Sequence, residues 1–200
     1  MVLNIHPLTL TGRVVRLEPL AEAHVSGLTV AGADESIWRY MRYGIIRAEA
    51  QMADLVRGLL AGQAAGTDLP FTAFHQETGR IIGMTRYLHI EPENRGLEIG
   101  GTWFAVAHQR TAANTESKYL LLRHAFETLG CIRVTIKTDL RNERSQRAIA
   151  RIGAVQEGVL RNHMILPDGT IRASVIYSII DSEWPGVKAL LAAKLEDGGG

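Results

Sequence analysis

The sequence predicts an α+β fold, in which one mixed and mostly antiparallel sheet is flanked by helices. Three observations predict it. Residues 71–106 carry three strand-like runs separated by turn residues, which reads as an antiparallel meander. Residues 97–138 then run strand, helix, strand, a crossover that lays two strands parallel. Hydrophobic residues make 46% and charged residues 22% of the 200, a balance that supports a sizeable core and points to a single domain.

Arg13, Val14, Val15, Arg16, Leu17 and Glu18 have the short, β-branched character of a strand, which Pro19 breaks. Residues 20–31 and 48–65 read as helices; in the second, Met52, Leu55, Val56, Leu59 and Leu60 recur at helical spacing. Asp68, Leu69 and Pro70 are expected to end that region. Residues 71–74 and 81–88 form strands around the turn at Glu77, Thr78, Gly79 and Arg80, and a third strand covers 97–106.

Residues 116–129 make a helix whose apolar stripe is Leu121, Leu122, Ala125, Phe126 and Leu129, with Gly130 as its stop. Residues 131–138 alternate as a strand. Asn142 is placed to cap the next helix, which Gly153 closes. Strands over 154–160 and 171–179 flank the turn at Pro167, Asp168, Gly169 and Thr170, and a helix covers 181–195. Residues 197–200, Asp197 and three glycines, read as a frayed tail.

Composition narrows the function. Twenty-two Lys and Arg against twenty-one Asp and Glu leave a net charge of +1, which argues against a dedicated nucleic-acid binder. The charge is uneven: residues 108–163 hold ten basic and five acidic residues, so a small anionic ligand is expected on that part. The remainder is acidic on balance, as suits a cationic acceptor. Cys131, the one cysteine, reads as a buried thiol and excludes an intrachain disulfide or a Cys-rich zinc site. That usage fits a cytoplasmic protein. Residues 1–10 lack the pattern of a signal peptide, and no apolar run approaches the ~20 residues of a membrane span. The histidines lack metal-ligand spacing, so no metal is expected; His124 reads as a structural histidine.

Residues 108–116 join a strand to a helix. The first amides of a helix have no intrahelical partner and carry partial positive charge, so this turn can hold a phosphate, and Arg110 adds a formal charge. The same residues also read as a plainly capped helix start, with Asn114 or Thr115 as cap and Glu116 complementing the dipole.

Gln109, Arg110, Thr111, Ala112, Ala113 and Asn114 resemble the acyl-CoA loop of the GCN5-related N-acetyltransferase (GNAT) family. The segment from Asn142 through Ser145 to Gly153, followed by Glu157, Gly158 and Val159, is similar to that family's second block. The blocks 10–17 and 97–103 are similar to those of the ribosomal-protein N-terminal acetyltransferase subgroup, and the likeness runs in order over residues 9–185. Ala112 and Asn114 stand where the loop has glycines, Ala154 where an aromatic is usual, and Ile149 where many members carry a tyrosine acid.

The resemblance implies a GNAT fold and direct transfer of acetyl from acetyl-CoA to an amine. The acceptor is a protein or peptide N-terminus, or alternatively a small amine such as an antibiotic, amino acid or polyamine; a non-catalytic acyl-CoA-binding protein is the rival reading. It implies that Arg110 and the amides of Thr111, Ala112, Ala113, Asn114 and Thr115 hold the diphosphate. A backbone N–H near Ala105 or Val106 serves the oxyanion, and that strand end, with Phe104, pairs the pantetheine. Asn142 and Ser145 contact the cofactor, and Ser145 can also donate to the departing thiolate. Glu98 is the candidate base; alternatively it is an exposed strand glutamate paired with Arg86 or Arg95. Strand alternation puts Glu98, Gly100, Thr102 and Phe104 on one face unless Gly100 and Gly101 bulge. Tyr40, Arg86 and His163 are weaker substrate contacts, Trp38 reads as core, and a homodimer is compatible with the family.

Overall fold

The structure is a computed structural model and describes residues 3–197, so of the expected tail only Asp197 lies within it. The strands are β1 (Leu10–Thr11), β2 (Val15–Pro19), β3 (Asp68–His75), β4 (Ile81–Glu91), β5 (Gly96–Phe104), β6 (Arg133–Asp139), β7 (Val155–Ile165) and β8 (Ile171–Ile180). They form one sheet in the order β1-β2-β3-β4-β5-β6-β8-β7. The pairing of β5 with β6 is parallel and every other pairing is antiparallel, as the crossover predicts.

The helices are α1 (Val25–Ala31), α2 (Glu49–Ala64), α3 (Ala112–Arg123), α4 (Glu143–Arg151) and α5 (Trp184–Glu196). Two apolar clusters show how they dress the sheet. Leu28, Met52, Val56 and Leu59 of α1 and α2 pack with Trp38, Met84 and Trp103. Leu120 and Leu121 of α3 and Leu191 of α5 pack with Leu17, Phe71, Tyr87 and Ile99. Trp38 is core, as its sequence context suggests.

Several element boundaries differ from the sequence reading, each for a local reason. Asp68, Leu69 and Pro70 open β3 rather than ending the helical region; Pro70 pairs with Arg86 beyond the last β2 pairing, so its missing N–H costs no ladder bond on that side. The first predicted helix opens with a single 3₁₀ turn, Glu22–His24, before α1. The long helix starts at Ala112, four residues before the predicted start, because Thr111 caps it: the Thr111 hydroxyl accepts from the Ala113 amide at 3.3 Å and donates to the His108 carbonyl at 2.9 Å. Neither Asn114 nor Thr115 is the cap.

The end of the same helix widens into a π turn over His124–Thr128. The Tyr87 hydroxyl donates to the Leu121 carbonyl at 2.6 Å and lies 3.3 Å from His124 Nδ1, so a β4 side chain takes a carbonyl that the helix ladder would otherwise use. Gly130 follows with φ +70° and stops the helix.

Candidate active site

The parallel pairing of β5 with β6 covers only Gly96, Leu97 and Glu98 against Arg133, Val134 and Thr135. Beyond Glu98 the two strands separate, and among the described residues the β6-facing edge of β5 from Ile99 to Phe104 has no strand partner. A cleft of about 810 Å³ opens there, the size of a cofactor or drug-sized site.

Gly101 sits in a bulge of β5. Met84 pairs with Trp103 but Arg86 pairs with Gly100, so one residue of β4 faces two of β5, and Gly101 takes φ +59°. The bulge switches the side-chain parity. Leu97 and Ile99 share a cluster with Phe104, while Trp103 packs on the opposite cluster. Glu98 and Phe104 therefore do not share a face; unbroken alternation would have put them together.

The end of the cleft nearest α3 and α4 is basic. Gln109, Arg110, Thr111 and Asn114 line it, with Asn142, Arg144, Ser145, Arg147 and Arg151 opposite. Arg110 adopts φ +60°, so the left-handed residue of the loop is Arg110, whereas Asn114 and Ala112 lie in helix α3. Neither replaced glycine therefore has to supply a left-handed backbone. Arg144 donates to Gln109 Oε1 at 2.8 Å and ties α4 to the loop. Asn142 caps α4 as predicted, its Oδ1 accepting from the Ser145 amide at 3.1 Å. Ala113 and Thr115 are fully buried and do not line the cleft; the Thr115 hydroxyl accepts from Arg151 at 3.1 Å.

Ala105 and Val106 depart from expectation. The Ala105 amide donates to the Ile82 carbonyl at 2.8 Å and is not free for an oxyanion. Val106 opens a 3₁₀ turn past the strand, and neither residue lines the cleft. Phe104 does line it, with its carbonyl accepting from Gln109 Nε2 at 3.0 Å.

Glu98 is buried at the point where the strands part. Its carboxylate pairs with Lys137 of β6 at 2.8 Å and lies 3.9 Å from His89. Neither Arg86 nor Arg95 is its partner: Arg86 pairs with Asp68 at 2.6 Å, and Arg95 donates to the Gly130 carbonyl at 2.8 Å. Ile149 is buried at the cleft wall, a hydrocarbon at the place of a phenol.

Lys118 is absent from the residues that the sequence reading singles out. It is buried on α3, lines the cleft and donates to Thr102 Oγ1 at 2.9 Å; Thr102 in turn lies 2.8 Å from Thr85 Oγ1. Burial pulls its amine down to about 7, and the charge of Glu98 only partly opposes this. The sequence holds a signal: Lys118 stands three and four residues before Leu121 and Leu122, on the apolar stripe itself.

The far end of the cleft is also basic, against the acidic acceptor side that segment charges suggest. Arg39, Arg42, Arg86, Arg141 and Arg172 line it. Asp139 is buried but taken by Arg141 at 2.7 Å, as Glu98 is by Lys137. Tyr40 lines this end beneath Arg39 and Arg141, whose guanidinium carbons lie 5.3 and 5.8 Å from its ring. His163 does not line the cleft; its Nδ1 lies 2.9 Å from Ser174 Oγ. Cys131 is buried, and burial pushes its thiol up to about 11. Among the described residues no group of three His, Cys, Asp or Glu could hold a metal, and no helix is long and apolar enough to cross a membrane.

Comparison with known proteins agrees with this geometry. Residues 15–155 match the acetyltransferase (GNAT) domain family. The Bacillus subtilis protein YdaF is 33% identical over 110 residues, 55% of this chain and 59% of that protein, so the match spans less than two thirds of it. The ribosomal-protein-serine acetyltransferase of Escherichia coli is 25% identical over 172 residues, 84% of this chain and 94% of that one. A crystal structure of an acetyltransferase from T. thermophilus superposes with a TM-score of 0.88 at 41% identity, covering 96% of this chain and 99% of that one. The chain belongs to the GNAT family and is an acetyl-CoA-dependent N-acetyltransferase.

Proposed function

We propose that this enzyme transfers acetyl from acetyl-CoA directly to the N-terminal amine of a protein or peptide, in the cytoplasm. One observation carries the reading: the strand edge of β5 from Ile99 to Phe104 lies open between a basic helix start and a buried glutamate. A pantetheine arm carries amides that pair as a β-strand does, and that edge offers main-chain partners. The residues fit coenzyme A at the other end as well. The first-turn amides of α3, the left-handed Arg110, and Arg144 and Arg147 of α4 form a cradle for phosphates. The ribosomal-protein acetyltransferase relative favours a polypeptide acceptor.

In this reading Glu98 takes the amine proton, directly or through a water, and the amine attacks the thioester carbonyl. Backbone N–H groups on the open β5 edge receive the oxyanion, in place of the Ala105 amide already bonded to Ile82. Ser145 donates to the departing thiolate from the first turn of α4. Lys118, with its amine near neutrality, is a second group able to hold or release a proton at the cleft floor. The buried Cys131 favours direct transfer over an acyl-enzyme.

The test is turnover of acetyl-CoA with peptides that have free or blocked N-termini, beside free amino acids, polyamines and aminoglycosides. Mass spectrometry locates the acetyl group. Acetylation at the α-amine of free peptides is expected. Turnover confined to small amines, or cofactor binding without turnover, would overturn the proposal.

A further inference from the structure

The acceptor end of the cleft contains a buried cation that makes no direct ion pair. Arg172 of β8 is only 8% exposed and lines the cleft. Its Nε donates to Ser174 Oγ at 2.9 Å, and one terminal nitrogen reaches the Tyr40 carbonyl at 3.4 Å. Both acceptors are neutral. Among the described residues Arg172 makes no direct ion pair: the acids whose charge it feels, Asp139 first and then Glu98, are held in contact by Arg141 and Lys137. A guanidinium offers five donors in a planar fork, and burying it without a carboxylate is costly unless a ligand supplies one.

Arg172 also has company. Arg42 lines the same wall, is exposed, and makes no ion pair among the described residues. Ser174 holds the Arg172 fork from behind and is itself backed by His163, so the fork is braced rather than free to swing. Arg172 and Glu98 line the same cleft, and Arg172 feels the charge of Asp139 first and then that of Glu98. A ligand that brings its amine to Glu98 would bring whatever lies next along the chain to Arg172.

We propose that the acceptor peptide carries a carboxylate side chain within its first residues, and that Arg172 anchors it by a bidentate pair while the N-terminal amine lies at Glu98. The inference rests on the reading of the protein as an N-terminal acetyltransferase. Arg172 here is a specificity residue: the carboxylate supplies the direct ion pair that the chain does not make. Polyamines and aminoglycosides, as polycations, would meet Arg39, Arg42, Arg141 and Arg172 with like charge.

The experiment compares C-terminally amidated peptides that differ only at the second and third positions, as Glu, Gln or Lys, with free glutamate and free glutamine as a small-molecule arm. The wild-type enzyme is expected to favour the acidic peptide over the Gln peptide by about tenfold or more in kcat/KM. Arg172→Gln should abolish that preference through the KM of the peptide, with the KM for acetyl-CoA unchanged, and Arg172→Lys should restore part of it. Equal turnover of acidic and neutral peptides by the wild type would overturn the inference and leave the N-terminal acetyltransferase reading intact. That comparison decides even if Arg172→Gln fails to fold. Turnover of free glutamate over glutamine with no peptide turnover would support the carboxylate anchor and overturn the peptide reading instead.

Discussion

The carboxylate of Glu116 lies directly against Gly12, in the space that a Cβ on that glycine would fill. From there it accepts the backbone N–H groups of Arg13, Val14 and Val15, each at 2.7 Å. A buried glutamate of α3 thus closes the β1–β2 turn, a role unlike the dipole complement read from its sequence position. Gly12→Ala is expected to displace the carboxylate. Glu116→Ala, which orphans three donors, should cost about 2–4 kcal/mol. Urea denaturation measures both. A loss for Glu116→Ala within about 0.5 kcal/mol, the scale of an ordinary surface change, would show the three bonds to be dispensable.

Arg110 holds its left-handed backbone at the start of the proposed phosphate cradle, where its charge adds to the α3 dipole. Arg110→Ala should raise the KM for acetyl-CoA about fivefold to tenfold and leave that for the acceptor nearly unchanged. Steady-state kinetics with each substrate varied in turn decides this, since equal effects on both would remove Arg110 from the cofactor site.

Glu98 is buried beside Lys137 at the fork of the sheet. Glu98→Gln keeps the volume and removes the proton acceptor, so kcat should fall by about a hundredfold with the KM for acetyl-CoA preserved. A variant that retains most of its kcat would relocate the base, and Lys118 would then be the next group to replace.

Lys118 makes a prediction about stability and its sign. Its folded amine titrates at about 7, against 10.5 for an ordinary lysine. Between those values the unfolded chain holds a proton that the folded chain does not. This group's contribution therefore rises with pH across that window and is flat below about 7. The half-buried or buried His24, His108, His124 and His163, all held below their ordinary value mainly by burial, act in the same sense at lower pH. Melting temperatures from pH 7 to 10 should climb for the wild type more steeply than for Lys118→Met. Parallel curves for the two proteins would refute the assignment.

Much of this molecule is legible in its sequence, and the illegible parts share a physical cause. The strands and the Asn142 cap follow from alternation and from an N-cap residue before a helical run, both local signals. The start of α3 is ambiguous even locally, because Thr111, Asn114 and Thr115 are all acceptable caps, and the choice turns on the backbone of the preceding turn, whose His108 carbonyl Thr111 reaches. The face of Phe104 is not local either, since the bulge at Gly101 depends on pairing with β4. The charge of the acceptor side escapes the sequence for a deeper reason. Segment totals count Asp68 and Glu98 as negative, yet Arg86 and Lys137, brought to them by the fold, neutralise them, and Arg172 comes from outside the segment counted as basic. Lys118 differs from these: a charge on an apolar stripe is visible in the sequence itself.

The short contact between β5 and β6 has a mechanical consequence. Five strands, β1 to β5, and three strands, β6, β8 and β7, are two leaves stitched together by a parallel seam of three residue pairs. A coenzyme arm lying along the open edge would extend that seam and act as a ligature between the leaves. Saturating coenzyme A should then slow amide exchange on both leaves, in β5 and in β6 alike, and raise the melting temperature by mass action. Cofactor binding along that edge would in that sense complete the sheet.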